Sequence, residues 1–319
     1  MQAVRYARFG APEVLQVEDI AEPSPAHGEV KVRVRAASLN PLDDKCRDGE
    51  LRFIPIFERP PRGLGCDFAG DVVGVGGGAI PHFIGQRVFG SLNPFGRQGS
   101  CAEFLTIGAN RLAEIPDGVA HAAAAALPIA GGIAVQALVD EAPIGGSTRM
   151  LLTGAGGGVG HFALQLAKHR GAHVTAVCSA ANVEFVRSLG ADVVIDYAQE
   201  DFKARTETFD VIFDAAGVSD YSACRKLLTP EGAYLNPSGS FGAIARTVVH
   251  AVVARTTSRQ RAVPLALRAG ATAWRRLAQL AADRVLVPHI ARTIGLAEVA
   301  SAQQAMATGH ARGKIVVQI

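Results

Sequence analysis

The stretch MLLTGAGGGVGHFALQLAKHRGAHVTAVCS, Met150 to Ser179, constrains the fold more than any other part of the chain. An apolar run passes into a cluster of glycines, then into apolar residues at helical spacing, and closes on a second β-branched run. Strand, tight turn, helix and strand in that order make one βαβ unit with a right-handed crossover. Ala155, Gly157 and Gly160 occupy the three positions of a G-x-G-x-x-G turn. The first makes a tight turn, the second lets backbone approach a pyrophosphate, and the third lets the helix lie close to its strand. Ala155 is acceptable in the first position provided its φ is negative. The free N–H groups of Gly158, Val159 and Gly160 at the helix start, with the positive end of the helix dipole, favour an anion. The turn therefore reads as a dinucleotide site.

Which dinucleotide depends on the end of the second strand, where an NAD site offers Asp or Glu to the ribose roughly 20 residues beyond the glycines. Ser179 stands there, in CSAAN. A hydroxyl does not repel a 2′-phosphate, so NADPH is favoured over NADH. Ala180, Ala181 and Asn182 follow, without the Arg or Lys that would grip the phosphate.

Around this unit the chain changes character twice. From Met1 to about residue 120, QAVRYARF, VLQVEDI, EVKVRVRAASLN, FAGDVVGVG, QRVFGSL and AEFLTI read as short strands punctuated by Gly and Pro. HAAAAALPIAGGIAVQALVDEA then has helix-forming composition, and beyond Arg149 strands and helices alternate as they do in a doubly wound parallel sheet. RVLVPHIA, AEVASAQQAMATG and KIVVQI give a final strand, helix and strand. The expected fold class is α/β: a β domain over 1–122 and 286–319, and a Rossmann domain over 123–285. Val263–Gly270 is a candidate last strand of the parallel sheet, with Pro264 marking an edge. Helix-forming TAWRRLAQLAADR should bury Trp274 on its apolar face.

Glycine is enriched, 35 in 319 residues, or about 11% against an average near 7%. The 32 basic and 29 acidic residues leave a net charge of +3, too little for phosphate-backbone binding, so nucleic acid is excluded as a partner. Five cysteines without a C-x-x-C pair suggest reduced thiols. A charged N-terminus and the absence of an unbroken apolar span lead us to expect a cytoplasmic protein with no membrane span.

GAGGGVG, SLGADVVIDY, SLNPLDDKCRDG, GLGCDFAGDVVGVG and GHARGKIVVQI, in their order along nearly the whole chain, resemble the zinc-independent medium-chain dehydrogenase/reductases. The nearest group is that of the quinone oxidoreductase-like and alkenal reductase-like NADPH enzymes. The resemblance implies a GroES-like domain built from both chain ends, an inserted Rossmann domain, and a cleft between them. Zinc-dependent members of the superfamily take ligands from a Cys in an early motif and from a Gly-His-Glu. Here those stretches read Asn40-Pro41-Leu42-Asp43 and Gly65-Cys66-Asp67.

By resemblance, Asn40 would lie near the nicotinamide and substrate, with Asp43 and Lys45 shaping that edge, and a Lys45 ammonium could stabilise a developing oxyanion. Tyr197 would sit on the adenosine side. Ala216 in AAGVS and Asn236 in LNPSG, just after strands, would line the nicotinamide half. Arg312 and Lys314 are phosphate partners by charge. Ile133 stands where the family carries a Thr that helps to place the nicotinamide.

The expected activity is hydride transfer from NADPH to a small-molecule quinone or conjugated carbonyl, without zinc. A zinc-free alcohol or ketone dehydrogenase and a non-catalytic NADPH-binding sensor or scaffold remain alternatives. A homodimer joined at a sheet edge is a further expectation.

Overall fold

The computed structural model describes residues 1–78, 84–237, 259–307, 309 and 312–319. Two compact units result: Met1–Gly132 together with Arg268–Ile319, and Ile133–Leu267.

The first unit opens with β1 (Gln2–Tyr6) and β2 (Leu15–Asp19), an antiparallel pair. β3 (Glu29–Ser38) then alternates valines with Lys31, Arg33 and Arg35, and the two-residue period sends Val30, Val32 and Val34 into the core. The chain continues through helix α1 (Pro41–Asp48), β4 (Arg62–Gly63), β5 (Asp67–Val75), β6 (Arg87–Ser91), β7 (Phe104–Gly108), β8 (Leu112–Glu114) and helices α2 (His121–Ala126) and α3 (Pro128–Val135). Proline at the first helical position and the Asp43 carboxylate, which accepts the Asn40 N–H, start α1, and Gly49 in the left-handed region stops it.

The second unit runs β9 (Arg149–Thr153), α4 (Gly158–His169), β10 (His173–Cys178), α5 (Val183–Ser188), β11 (Val193–Asp196), β12 (Phe209–Asp214), α6 (Tyr221–Cys224), β13 (Leu228–Asn236) and β14 (Arg261–Pro264). All six strands are parallel, in the order β11-β10-β9-β12-β13-β14, which is the dinucleotide-binding order with its reversal between β9 and β12. β14 begins and ends earlier than the Val263–Gly270 run read from the sequence. Its last pair, Asn236 with Pro264, falls where β13 itself ends.

The chain returns to the first unit through α7 (Ala271–Ala282), β15 (Ile290–Ile294), α8 (Val299–Met306) and β16 (Lys314–Gln318). β16 pairs antiparallel with β3 and parallel with β15, giving the strand order β15-β16-β3-β5-β6-β8, while β7 lies along β3. A smaller sheet is ordered β2-β1-β4. α7 buries Trp274 and Leu277, and it packs on β8 and β6. α2 packs on β3 and β5. Residues 123–132 and 268–285, which the sequence reading joined to the Rossmann domain, thus lie with the first unit. RVLVPHIA is not a strand over its length. After α7 the chain turns through Arg284 at φ 56°, and pairing begins only at Ile290.

Among the described residues no helix is long and apolar enough to cross a membrane. Ser238, Gly239, Thr308, His310 and Ala311, all within stretches singled out above, lie outside the described residues.

Candidate functional site

The glycine turn is built as its spacing suggested, with one displacement. The left-handed residue is Gly154, at φ +63°, immediately after β9. A Cβ there would also lie 2.9 Å from that of Ala216. Ala155 does not have positive φ. It is buried, and its N–H donates to the Val177 carbonyl at 3.2 Å, tying the turn to β10. Gly157 caps α4 in extended geometry, its N–H donating to the Gly154 carbonyl at 2.9 Å. A Cβ on Gly160 would lie 2.0 Å from the Gly154 oxygen, so glycine is what permits helix and strand to meet. A Cβ on Gly157 would meet only that same oxygen, at 3.3 Å. Gly157, Gly158 and Val159 are half-buried, and the first helical turn has no preceding carbonyls for its N–H groups. No acidic side chain occupies that turn. The turn therefore fits the pyrophosphate of a dinucleotide.

Other expected residues gather along the carboxyl ends of the same strands. Ser179 follows β10 half-buried, its carbonyl accepting the Asn182 N–H at 2.9 Å and its Oγ accepting Asn182 Nδ2 at 3.4 Å. Tyr197 follows β11, its N–H donating to the Cys178 carbonyl at 3.1 Å and its side chain more than half exposed. Ala216 is exposed in the turn after β12, and Asn236 ends β13.

These last two are held by a residue the sequence reading passed over. Asp214, fully buried at the end of β12, accepts four hydrogen bonds. Thr153 Oγ1 donates at 2.5 Å, the Tyr234 hydroxyl at 2.8 Å, and the N–H groups of Ser219 and Val218 at 2.8 and 3.2 Å. Asn236 Nδ2 donates on to the Tyr234 oxygen at 3.2 Å, and the Ala216 N–H to Thr153 Oγ1 at 3.4 Å. An acid closing the apolar run Val211–Phe213 was the available signal. Burial and its paired carboxylate push the Tyr234 phenol far up, so it serves Asp214 as a donor.

In the first unit, Asn40, Asp43, Asp67 and Lys314 are all almost wholly buried. Lys314 Nζ donates to Asn40 Oδ1 at 2.6 Å and to the Leu39 carbonyl at 2.8 Å. Asn40 Nδ2 donates to Asp67 Oδ2 at 3.0 Å, which also accepts the Ile129 N–H at 3.1 Å. Asp43 Oδ2 accepts the Asn40 N–H at 2.8 Å. Burial is the main influence on all three charges. It raises Asp67 above the usual carboxylate range, raises Asp43 to about 7 and lowers Lys314.

Three expectations are corrected here. Lys314 is not a phosphate partner, because its ammonium is buried and already bonded to Asn40 and Leu39. Asn40 does not present its amide to a substrate, since its oxygen is taken by Lys314 and its nitrogen by Asp67 and the Ser38 carbonyl at 3.4 Å. Asp43 is an internal cap rather than a surface of a cleft. Lys45, half-buried on α1, has no hydrogen bond or ion pair through its ammonium among the described residues. Arg312 is exposed at the turn before β16, near enough to His289 to help lower that imidazole. His161 is buried, with Nδ1 at 2.9 Å from the Gly157 carbonyl. Phe57 is buried between Phe9 and Phe95, while Phe53 is 79% exposed.

At the positions where a zinc-dependent relative would place ligands stand Asn40 and Cys66. Asn40 is committed to Lys314 and Asp67, and burial drives the Cys66 thiol well up. Among the described residues no three His, Cys, Asp or Glu side chains converge to hold a metal ion. The donor set does not fit zinc.

Residues 26–144 match the alcohol dehydrogenase GroES-like domain, and residues 189–317 match the zinc-binding dehydrogenase family model. The whole chain is 34% identical to the chloroplast envelope quinone oxidoreductase homolog of Arabidopsis thaliana, covering 98% of that protein. It is 36% identical, over 69% of its length and 58% of the relative's, to that plant's chloroplastic NADPH-dependent alkenal/one oxidoreductase. The structure of the quinone oxidoreductase from Coxiella burnetii superposes with a TM-score of 0.89 at 30% identity, covering all of this chain and 99% of that one. A GroES-like β unit and an inserted dinucleotide-type parallel sheet define a medium-chain dehydrogenase/reductase. Within that superfamily the chain belongs to the quinone oxidoreductase-like family of oxidoreductases.

Proposed function

We propose that the protein is an NADPH-dependent reductase of quinones or α,β-unsaturated carbonyls that works without a zinc centre. The turn from Gly154 to Gly160 is the observation that carries this reading, because its close approaches and unpaired helix start suit a pyrophosphate and little else. Gly157, Gly158, Val159 and Gly160 would hold that group. Ser179 and Tyr197 would meet the adenosine side, where Ser179 rather than an acid follows β10 and puts no carboxylate at that position to repel a 2′-phosphate. Ala216 and Asn236, set by Asp214, would line the nicotinamide side, and Arg312 remains the phosphate partner of choice.

When bound, NADPH supplies a hydride at the nicotinamide ring. The protein's own part is to fix an electrophilic carbon at the right distance and to stabilise the negative charge that develops on the carbonyl or quinone oxygen. Lys45, the unpaired cation of α1, is assigned that second role. Enone reduction is favoured alongside quinone reduction because full-length and partial relatives carry both names. An edge-to-edge homodimer through β14 and a cytoplasmic location belong to the same proposal.

The test follows the absorbance of NADPH and of NADH with purified protein, a benzoquinone and a short alkenal, with and without a metal chelator. Chelator-insensitive oxidation of NADPH in preference to NADH supports the reading. NADPH binding without acceptor-dependent oxidation overturns it.

A further inference from the structure

We propose that one ordered water molecule is a built-in ligand of the first unit, bound between Tyr6 of β1, Arg62 of β4 and Asp43 of α1. The three side chains line a single cavity of about 10 Å³, together with Cys46, Cys66 and Gln98. All three are at least 97% buried. Four of their polar atoms, the Tyr6 hydroxyl, Asp43 Oδ1 and Arg62 Nε and Nη1, have no hydrogen-bond partner among protein atoms. Buried polar groups are costly when unpartnered, and with all three side chains lining one void a single bridging molecule can engage three of the four atoms.

The volume and chemistry select the ligand. A cavity of roughly 10–15 Å³ with two to four polar partners is what a single water requires. Water accepts from the Tyr6 O–H and from one idle guanidinium N–H, and donates to Asp43 Oδ1. A metal cation would face the Arg62 charge, and among the described residues no three acidic, Cys or His side chains, Asp43, Cys46 and Cys66 included, converge to hold one. A larger anion would crowd Asp43 in a space of this size. Direct closure of the guanidinium on the carboxylate is prevented because each is held elsewhere. Arg62 Nη2 donates to the Pro94 carbonyl at 2.6 Å with its plane over the Phe57 ring, 4.2 Å from the centroid, while Asp43 Oδ2 takes the Asn40 N–H. The Cys46 thiol already points to the Pro94 carbonyl at 3.4 Å. Bound there, the water joins three pieces of chain distant in sequence and pins the start of α1 to the smaller sheet.

Two measurements decide the matter. A crystal structure of the full chain at a resolution that places waters should show one peak within hydrogen-bond distance of all three groups. No peak, a direct Arg62–Asp43 ion pair, or an anomalous signal at the peak after bromide replaces chloride would overturn the proposal. Urea unfolding of Tyr6→Phe reads the same question through its sign. If the hydroxyl is bonded to water, removing it should raise the unfolding equilibrium constant about fivefold to tenfold. If the hydroxyl is an orphan, its removal leaves stability unchanged or improves it, and the proposal fails.

Discussion

Lys314 carries the first unit's only buried ammonium among the described residues, and two carboxylates and an amide depend on it. Lys314→Met keeps most of the volume but leaves Asn40 Oδ1 and the Leu39 carbonyl without their donor and removes the cation near Asp67 and Asp43, and buried acceptors left without a donor cost about 1–3 kcal/mol. The urea midpoint of the variant should fall by the corresponding amount at unchanged slope. The charge of Lys314 was legible in the sequence, but its destination was not, because Asn40 lies 274 residues away and nothing local says which strand will deliver the ammonium. The glycine turn was legible because its demands are local. Even there, the left-handed position fell on Gly154, one residue before the motif's first place, because the bend begins where β9 ends. Gly160→Ala forces a methyl onto a backbone oxygen and should lower stability by about 1–3 kcal/mol. Gly157→Ala, whose methyl would meet that oxygen at 3.3 Å rather than 2.0 Å, should lower the melting temperature less than Gly160→Ala and weaken NADPH binding instead. Thermal melts and a fluorescence titration of the two variants separate the roles.

At the scale of elements, Asp214 staples the end of β12 to β9 through Thr153 and to β13 through Tyr234, and it shapes the turn that carries Ala216. Asp214→Asn replaces one acceptor oxygen by an N–H that must face another donor. The expected result is a loss of about 1–3 kcal/mol in unfolding free energy and weaker NADPH binding. Tyr234→Phe, which removes one of the four donors, should lose less in both. The parallel, doubly wound character of the sheet was readable from alternation of strand and helix patterns, and all six strands are parallel in the structure. The extents of β14 and β15 were not readable, for a shared reason. Each is an edge strand whose length is set by its neighbour: β14 stops where β13 runs out at Asn236, and β15 begins where β16 can pair. β15 exposes Ala291, Arg292 and Thr293, so it carries no apolar alternation to announce it. Likewise the buried face of α7 was evident as a face, while the unit it covers is a tertiary fact.

For the whole molecule, acid–base behaviour follows from what burial does to α1. Asp43 holds its proton up to about pH 7 in the native state against an ordinary carboxyl value of 3.8 when unfolded, and Asp44 is shifted the same way, to about 6. Between those limits the native state binds more protons than the unfolded one, so stability contributed here falls as pH rises and levels off above about 7. Asp71 and Asp192 are lowered by their partners Arg35 and Lys168, and oppose this only at acid pH, where their contribution is lost as pH falls. Urea midpoints of the wild type and Asp43→Asn, measured near about pH 5 and about pH 8, should show the wild type's advantage shrinking at the higher pH. The discontinuous first unit has a different consequence, in the order of synthesis. The parallel sheet lies between residues 149 and 264, whereas β16, residues 314–318, supplies a strand beside β3 and the ammonium beneath Asn40. On a ribosome adding about 5–20 residues per second, a finished inserted domain therefore waits seconds for its host. During that interval β3 is left open along Ala36–Ser38, beyond the stretch that β7 covers, and it is there that a chaperone or a neighbouring nascent chain would find backbone to pair with.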